Sequence, residues 1–542
     1  MSYTAHVDTF ARDNLPPRDQ WPEMIFEIPE VQYPERINCG AELLDKHVQK
    51  GWGNRPVIHN YTGVISYAEM LKQVNQIAQV LTEDMGLVPG NRVLLRGANS
   101  AIMAICWFAV VKAGLIAVTT MAMLREKELV DVMEKAQVNA ALCDKALDTE
   151  LLAAQKRCPS LKQIMYFNDA SSDGLEARAG GKSGEFEAID TAADDVVLIA
   201  FTSGTTGKPK GTMHFHRDVL TICDCFPKSI VQMTPDDISI GTPPLAFTFG
   251  LGGILLFPMR VGGSTVLLEK LSPDIMLKAI QDFKITITWS SPVFYRQMSG
   301  LVGGYNISSL KKCISAGEAL PVSTRTMWRE ASGIEMIDGI GSTELLHIFI
   351  SAAGADVRPG STGRPIPGYR ACILDQQGNP LPSGNVGRLA VKGPTGCRYM
   401  SDERQKDYSQ NGWNVTGDAY FMDDDGYFWF HARTDDIILT AGYNVSGPEV
   451  EEALMKHPAV ADCAVVGAPD DDRGQIVKAF VVLKAGETGD EAMVKTLQEF
   501  VKQVIAPYKY PRAIEFKESL PRTNTGKLQR FVLRRQEMIK AQ

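Results

Sequence analysis

The chain has 542 residues, 44% of them hydrophobic and 22% charged, with a formal charge of −8. That length and apolar content suffice for two or more domains with large cores, and the acidic balance argues against a nucleic-acid-binding or anionic-membrane surface. Ten cysteines without paired spacing read as reduced thiols, and the first ten residues lack the basic start and apolar run of a signal peptide, so a soluble cytoplasmic protein is expected.

From about Glu42 to His431, helix-period stretches alternate with short β-branched runs, the pattern of a doubly wound α/β body. Residues 101–123 are almost entirely apolar and long enough to cross a bilayer. Lys112 and Gly114 interrupt them, and Leu115-Ile-Ala-Val-Thr-Thr120 is β-branched, so a buried helix turning into a buried strand is expected instead of a membrane span. Glycine-rich breaks at 179–184 and 300–304 predict surface loops.

The apolar strand 196–201 leads into Thr202-Ser-Gly-Thr-Thr-Gly-Lys-Pro-Lys-Gly211. Gly204, Gly207 and Gly211 permit positive φ, and four hydroxyls (Thr202, Ser203, Thr205, Thr206) with Lys208 and Lys210 supply donors and charge, as a phosphate-holding loop requires. The run fails the Walker A template, because Pro209 stands where its second glycine belongs and Gly211 follows Lys210 where a hydroxyl belongs. A flexible linker is the alternative, disfavoured by the buried-strand lead-in and by Pro209. A helix is expected over 216–225. His214, His216, Cys223 and Cys225 invite a zinc reading, but on a helix the two cysteines point about 200° apart, which favours simple packing.

Further along, Asp338-Gly-Ile-Gly-Ser-Thr-Glu344 ends in a hydroxyl beside a carboxylate, either a helix cap or a metal and phosphate contact. The aromatic run Tyr427-Phe-Trp-Phe-His-Ala-Arg433 predicts a strand, after which the chain changes character. Strands over 461–467 and 479–484 and an amphipathic helix over 492–505 follow. These place a boundary at Asp435, with domains over 1–434 and 435–542.

With these motifs in order along nearly its whole length, the chain resembles the adenylate-forming superfamily of acyl-CoA synthetases, nonribosomal peptide adenylation domains and beetle luciferases. The resemblance implies a large N-terminal domain of packed, doubly wound α/β sheets with a small β-barrel-like subdomain, and a smaller mobile α+β C-terminal domain. It implies ATP, Mg²⁺ and coenzyme A as ligands. Thr202, Ser203, Gly204, Thr205, Thr206, Gly207 and Lys210 then hold the phosphates, and Glu344 holds Mg²⁺ with Thr343 on the phosphate. Gly317, Glu318 and Ala319, in Ser315-Ala-Gly-Glu-Ala-Leu320, lie beside the adenine, with Asp338 and Gly339 in the same nucleotide site. Asp418 and Arg433 meet the ribose; their alternative is a turn and a strand-end ion pair. Lys527, in Pro521-Arg-Thr-Asn-Thr-Gly-Lys527, is the catalytic lysine bridging the acid carboxylate and the α-phosphate. Asp435 is the hinge, and Gly442 and Tyr443 line the thiol tunnel.

The acid pocket is expected from Ala246, Phe247, Phe249, Ile340 and His347. Phe247 stands where many relatives carry histidine. The segment from Gly339 to Phe349 resembles benzoate-CoA ligases, and Pro29-Glu30 with Tyr33-Pro-Glu-Arg-Ile-Asn38 resembles the ligases for 2-aminobenzoate. The expected activity is therefore an aryl-CoA ligase acting on benzoate or 2-aminobenzoate, as a monomer or homodimer without nucleic-acid or membrane partners. Short- or medium-chain acyl-CoA synthesis, loading of a carrier protein and an inactive ATP sensor are the alternatives.

Overall fold

The computed structural model describes residues 3–202, 209–433, 436–440, 443–470, 473–505, 507–523 and 526–540. Three sheets build the large N-terminal part. In the first, the parallel strands Gln163–Phe167, Ala140–Asp144, Arg92–Arg96, Ile116–Thr120 and Val196–Thr202 lie in that order, with Lys210–Phe215 antiparallel at the edge. Their near-continuous apolar sequence follows from burial on both faces. The second sheet has nine strands, whose parallel centre includes Met336–Gly341, Lys312–Ala316, Ile287–Ser290 and Ile238–Gly241. A core shared by the helices Tyr67–Gln79 and Ala101–Lys112 joins the two sheets.

The run at 101–123 resolves as expected, with one surprise at Lys112. The helix Ala101–Lys112, capped by the Ser100 hydroxyl at the Met103 N–H, has 12 residues, too short for a bilayer. Gly114 turns the chain at φ +68° where an added Cβ would sit 3.1 Å from Ile189, and Ile116–Thr120 follows as a buried strand. Lys112 does not break the helix but ends it, fully buried, with its ammonium donating to Asp45 and Asn75 at 2.6 Å each. No helix among the described residues is long and apolar enough to cross a membrane.

The expected β-subdomain is an antiparallel sheet of Arg370–Leu374, Gly387–Lys392, Trp413–Met422, Ser409–Gln410 and Phe428–Arg433. The smaller C-terminal domain has the three-stranded sheet Val460–Asp470, Gly474–Leu483 and Ala513–Phe516, a hairpin of Ile437–Thr440 with Tyr443–Ser446, and helices Gly447–Met455, Glu491–Val504 and Arg530–Lys540. Among the described residues no group of three or more His, Cys, Asp or Glu could hold a metal on its own, and all ten cysteines are unpaired. The His214 to Cys225 segment is packed helix and strand.

Candidate active site

Thr202 and Lys210 face each other across the antiparallel pair Val196–Thr202 and Lys210–Phe215, at the edge of the first sheet. Ser203, Gly204, Thr205, Thr206 and Gly207 lie outside the described residues. Gly211 departs from expectation. It is a strand residue without positive φ, and its missing side chain admits the Phe201 ring, 3.1 Å from where a Cβ would stand. The strand also pairs with 398–400, through Met213 N–H to the Arg398 carbonyl and Met400 N–H to the Gly211 carbonyl, both 2.8 Å. That contact sets the Lys210 ammonium 3.3 Å from the Tyr399 hydroxyl, which in turn donates to the Glu344 carboxylate. Burial and the Glu344 carboxylate hold the Tyr399 phenol far above its ordinary range, so it stays protonated.

Glu344 lies just beyond the strand Met336–Gly341, in a tight turn. Leu345 N–H reaches the Ser342 hydroxyl at 3.2 Å, and the Thr343 carbonyl accepts from Leu346 N–H at 3.2 Å and from His214 Nε2 at 2.8 Å. Leu346 is buried at φ +70°, a strained conformation for a branched side chain that the surrounding bonds enforce. Gly341 is required there, since an added Cβ would meet the His347 carbonyl at 2.6 Å, and Gly339 leaves room for Ile348 at 2.8 Å. Ile340 packs against the core. Asp338 is buried with one carboxyl oxygen unpartnered; burial pushes it up to about 7, against the Arg325 charge and its own backbone contact at Gly339.

Ser315 pairs with Asp338 in adjoining parallel strands, so the turn after Ala316 opens beside that carboxyl. Gly317 takes φ +91°, and the Lys527 ammonium lies 3.7 Å from where its Cβ would be. Glu318 is half-buried and Ala319 exposed. Burial raises the Glu318 carboxyl, opposed by Arg522, Lys527 and Arg530 of the C-terminal domain. Asp418 and Arg433 are opposite residues of Trp413–Met422 and Phe428–Arg433, 3.7 Å apart, and Gly417 keeps the guanidinium's path clear. Loss of water around it lowers the Lys527 ammonium, opposed by Glu318 and Asp418 and reinforced by Arg433. Its side chain is nevertheless exposed, so water screens these charges. Four chain segments thus meet at one ammonium.

The expected acid-pocket residues lie against an aromatic wall. His347 is ringed by Phe226, Phe249, Phe257 and Trp289 at centroid distances of 5.8, 5.7, 4.5 and 6.2 Å. Both its nitrogens lack hydrogen-bond partners, and burial pushes it down to about 3, so it is a neutral polar group in apolar surroundings. The Phe249 backbone favours the charged form slightly without reaching hydrogen-bond geometry. Gly252 and Gly253 permit this packing, with added Cβ atoms 2.5 Å from the imidazole and 2.4 Å from Trp289. Thr119 fixes the Ala246 carbonyl at 2.8 Å. Phe247 is half-buried but shares none of the ring contacts around His347. Sequence reading missed Phe226, Phe257, Trp289 and Tyr399, and took His214 only as packing or half of a zinc pattern; only the adjacent glycines at 252 and 253 hint at a side chain pressed against backbone. A cavity of about 620 Å³ at Lys46, Lys228 and Arg260 lies apart from these groups, and Glu42 and Asp224 offset its cations.

Asp435 and Gly442 fall outside the described residues. Tyr443 opens a strand opposite Thr440. Asp436, beside the expected hinge, accepts from Arg534 and lies 3.5 Å from Arg530.

The family described as AMP-binding enzyme matches residues 44–399, and its C-terminal domain matches 449–527. Benzoate-CoA ligase of Thauera aromatica is 33% identical over 93% of this chain and 97% of its own. The mitochondrial acyl-coenzyme A synthetase ACSM3 of Homo sapiens is 32% identical over 93% of this chain and 90% of its own. The crystal structure of the anthranilate CoA ligase AuaEII in complex with anthranoyl-AMP superposes with a TM-score of 0.89 at 32% identity, covering 95% of this chain and all of that one.

Proposed function

The chain belongs to the AMP-binding enzyme family and is an AMP-forming acid–thiol ligase, and from that premise we propose that it is an aryl-CoA ligase for a compact aromatic acid of the benzoate or 2-aminobenzoate type. The observation that carries the aryl reading is the ring of Phe226, Phe249, Phe257 and Trp289 around a neutral, unpartnered His347. Such a wall offers flat apolar surface and one polar handle; burying a ring against it stabilises binding by about 2–3 kcal/mol.

In the first half-reaction the acid's carboxylate oxygen attacks the α-phosphorus of ATP, and the bond to pyrophosphate breaks. Thr202, Ser203, Gly204, Thr205, Thr206, Gly207 and Lys210 orient the β- and γ-phosphates. Gly317, Glu318, Ala319, Asp338 and Gly339 receive the adenine. The unpartnered Asp338 carboxyl suits an amino group. Asp418 and Arg433 hold the ribose, and Lys527 bridges the attacking carboxylate and the α-phosphate where negative charge accumulates. Glu344, with Thr343 on the phosphate, fits a shared Mg²⁺: it is one buried carboxylate with no all-protein cage among the described residues, and Mg²⁺ is commonly held by one or two carboxylates plus substrate phosphates. Bound there, the ion would neutralise charge on the leaving pyrophosphate.

In the second half-reaction the thiol sulfur attacks the acyl carbon, AMP leaves with the electron pair, and the thiol proton passes to solvent. Residues 435–542 then turn about Asp435, withdrawing Lys527 and bringing Gly442 and Tyr443 to the pantetheine arm. The test is a panel of benzoate, 2-aminobenzoate, hydroxybenzoates, phenylacetate and octanoate with ATP and CoA, reading nucleotide and thioester products. AMP and aryl-CoA from a benzoate-type acid are expected. ADP overturns the reading, and octanoate turned over as well as benzoate transfers it to the short- or medium-chain acyl-CoA synthetase alternative.

A further inference from the structure

Beneath Glu344 lies a buried polar group that none of the expected motifs contains. His214 is fully buried and points Nε2 at the Thr343 carbonyl, 2.8 Å away, so Nε2–H donates and the tautomer is fixed. Its Nδ1 faces the Asp218 carboxylate at 4.0 Å. Asp218, also fully buried, accepts from Phe215 N–H at 2.9 Å and from Arg398 Nη1 at 2.8 Å. The Arg398 guanidinium lies over the Phe215 ring at 4.1 Å and the Trp21 ring at 4.9 Å.

Two features set this group apart from ordinary core packing. Thr212 Oγ1, His214 Nδ1, Asp218 Oδ1 and Arg398 Nε are all buried without hydrogen-bond partners, an arrangement that costs stability and that apolar residues would avoid. Two side chains also grip one dipeptide from two sides. His214 holds the carbonyl of Thr343, while Tyr399, next to the buried Arg398, holds the carboxylate of Glu344. Fixing that carbonyl fixes the plane of the peptide joining Thr343 to Glu344, within the turn strained at Leu346.

We propose that His214 is a positioning residue for ATP activation, its Nε2–H locking the peptide between Thr343 and Glu344. The proposal rests on the reading of Glu344 as the Mg²⁺ carboxylate. Preorganising a ligand in this way strengthens metal–nucleotide binding without touching the later thiol step.

The test uses His214→Gln, whose amide nitrogen reaches the position of Nε2, and His214→Asn, which stays polar but falls short. ATP binding is measured by calorimetry with and without Mg²⁺, beside conversion of supplied benzoyl-adenylate to benzoyl-CoA. The Gln variant is expected within about threefold of the parent, whereas the Asn variant loses about tenfold or more in Mg²⁺-dependent ATP affinity. Metal-free ATP binding and conversion of the supplied adenylate stay within about twofold for both. Equal behaviour of the two variants, or parallel loss of Mg²⁺-dependent binding and thiol transfer, overturns the proposal. A parent enzyme that binds ATP with Mg²⁺ but leaves benzoyl-adenylate untouched refutes the aryl-CoA reading, while the calorimetry still decides the role of His214.

Discussion

At the scale of single residues, Asp338 is the carboxyl whose environment has the clearest consequence. Its folded form holds a proton up to about pH 7 because it is buried, whereas in the unfolded chain it ionises near pH 4. The stability it contributes is therefore complete at acid pH and is lost as pH rises through 7. Asp338→Asn, which keeps the shape without the ionisation, should gain on the parent by about 2 kcal/mol between pH 5.5 and pH 8 in urea unfolding. A gap that does not change with pH would contradict the burial argument. How much was legible in the sequence also differs by residue. Asp338 stood inside a recognisable run, but Tyr399 did not, because its bridge between Lys210 and Glu344 joins positions 189 residues apart. His214 was visible only as half of a zinc pattern that the structure does not form. Chemistry that depends on a cross-sheet contact leaves no local spacing to read.

At the scale of elements, the helical stretch 248–261 shapes the aromatic wall around His347, the proposed acid pocket. Gly253 sits where an added Cβ would stand 2.4 Å from the fully buried Trp289 ring. Gly253→Ala should cost about 1–3 kcal/mol of stability through overpacking and raise KM for the aromatic acid while leaving ATP affinity unchanged. Loss of ATP affinity in parallel would place the wall elsewhere. Element type followed closely from periodicity: the strand at 196–202, the helix from 216 and the helix over 491–504 lie within a residue or two of expectation. The C-terminal strand Ala513–Phe516 and helix Arg530–Lys540 escaped it. The strand is only half-buried, so its apolar pattern is weak, and the helix keeps few buried positions among many charges. Phe226, Phe257 and Trp289 read as ordinary core because only the fold turns them toward His347.

At the scale of the whole molecule, the proposed function asks one pocket to serve two half-reactions. In the proposed reaction adenylation calls for a cation at the α-phosphate, a role that the Lys527 ammonium, beside Gly317 with Glu318, Asp418 and Arg433 around it, would fill. The helix Arg530–Lys540 is tied through Arg530 to Glu451 and through Arg530 and Arg534 to Asp436, so the lysine and the segment beside Asp435 belong to one charged framework. Rotation about Asp435 would carry that framework away together and clear the pocket for the thiol. The most direct measurement is Lys527→Ala assayed separately in each half-reaction, as aromatic-acid-dependent ATP–pyrophosphate exchange and as conversion of supplied aryl-adenylate with CoA. Exchange should fall by about a hundredfold or more while thioester formation stays within about threefold. Equal loss in both would contradict the assignment of Lys527 to adenylation alone, and with it the two-conformation account.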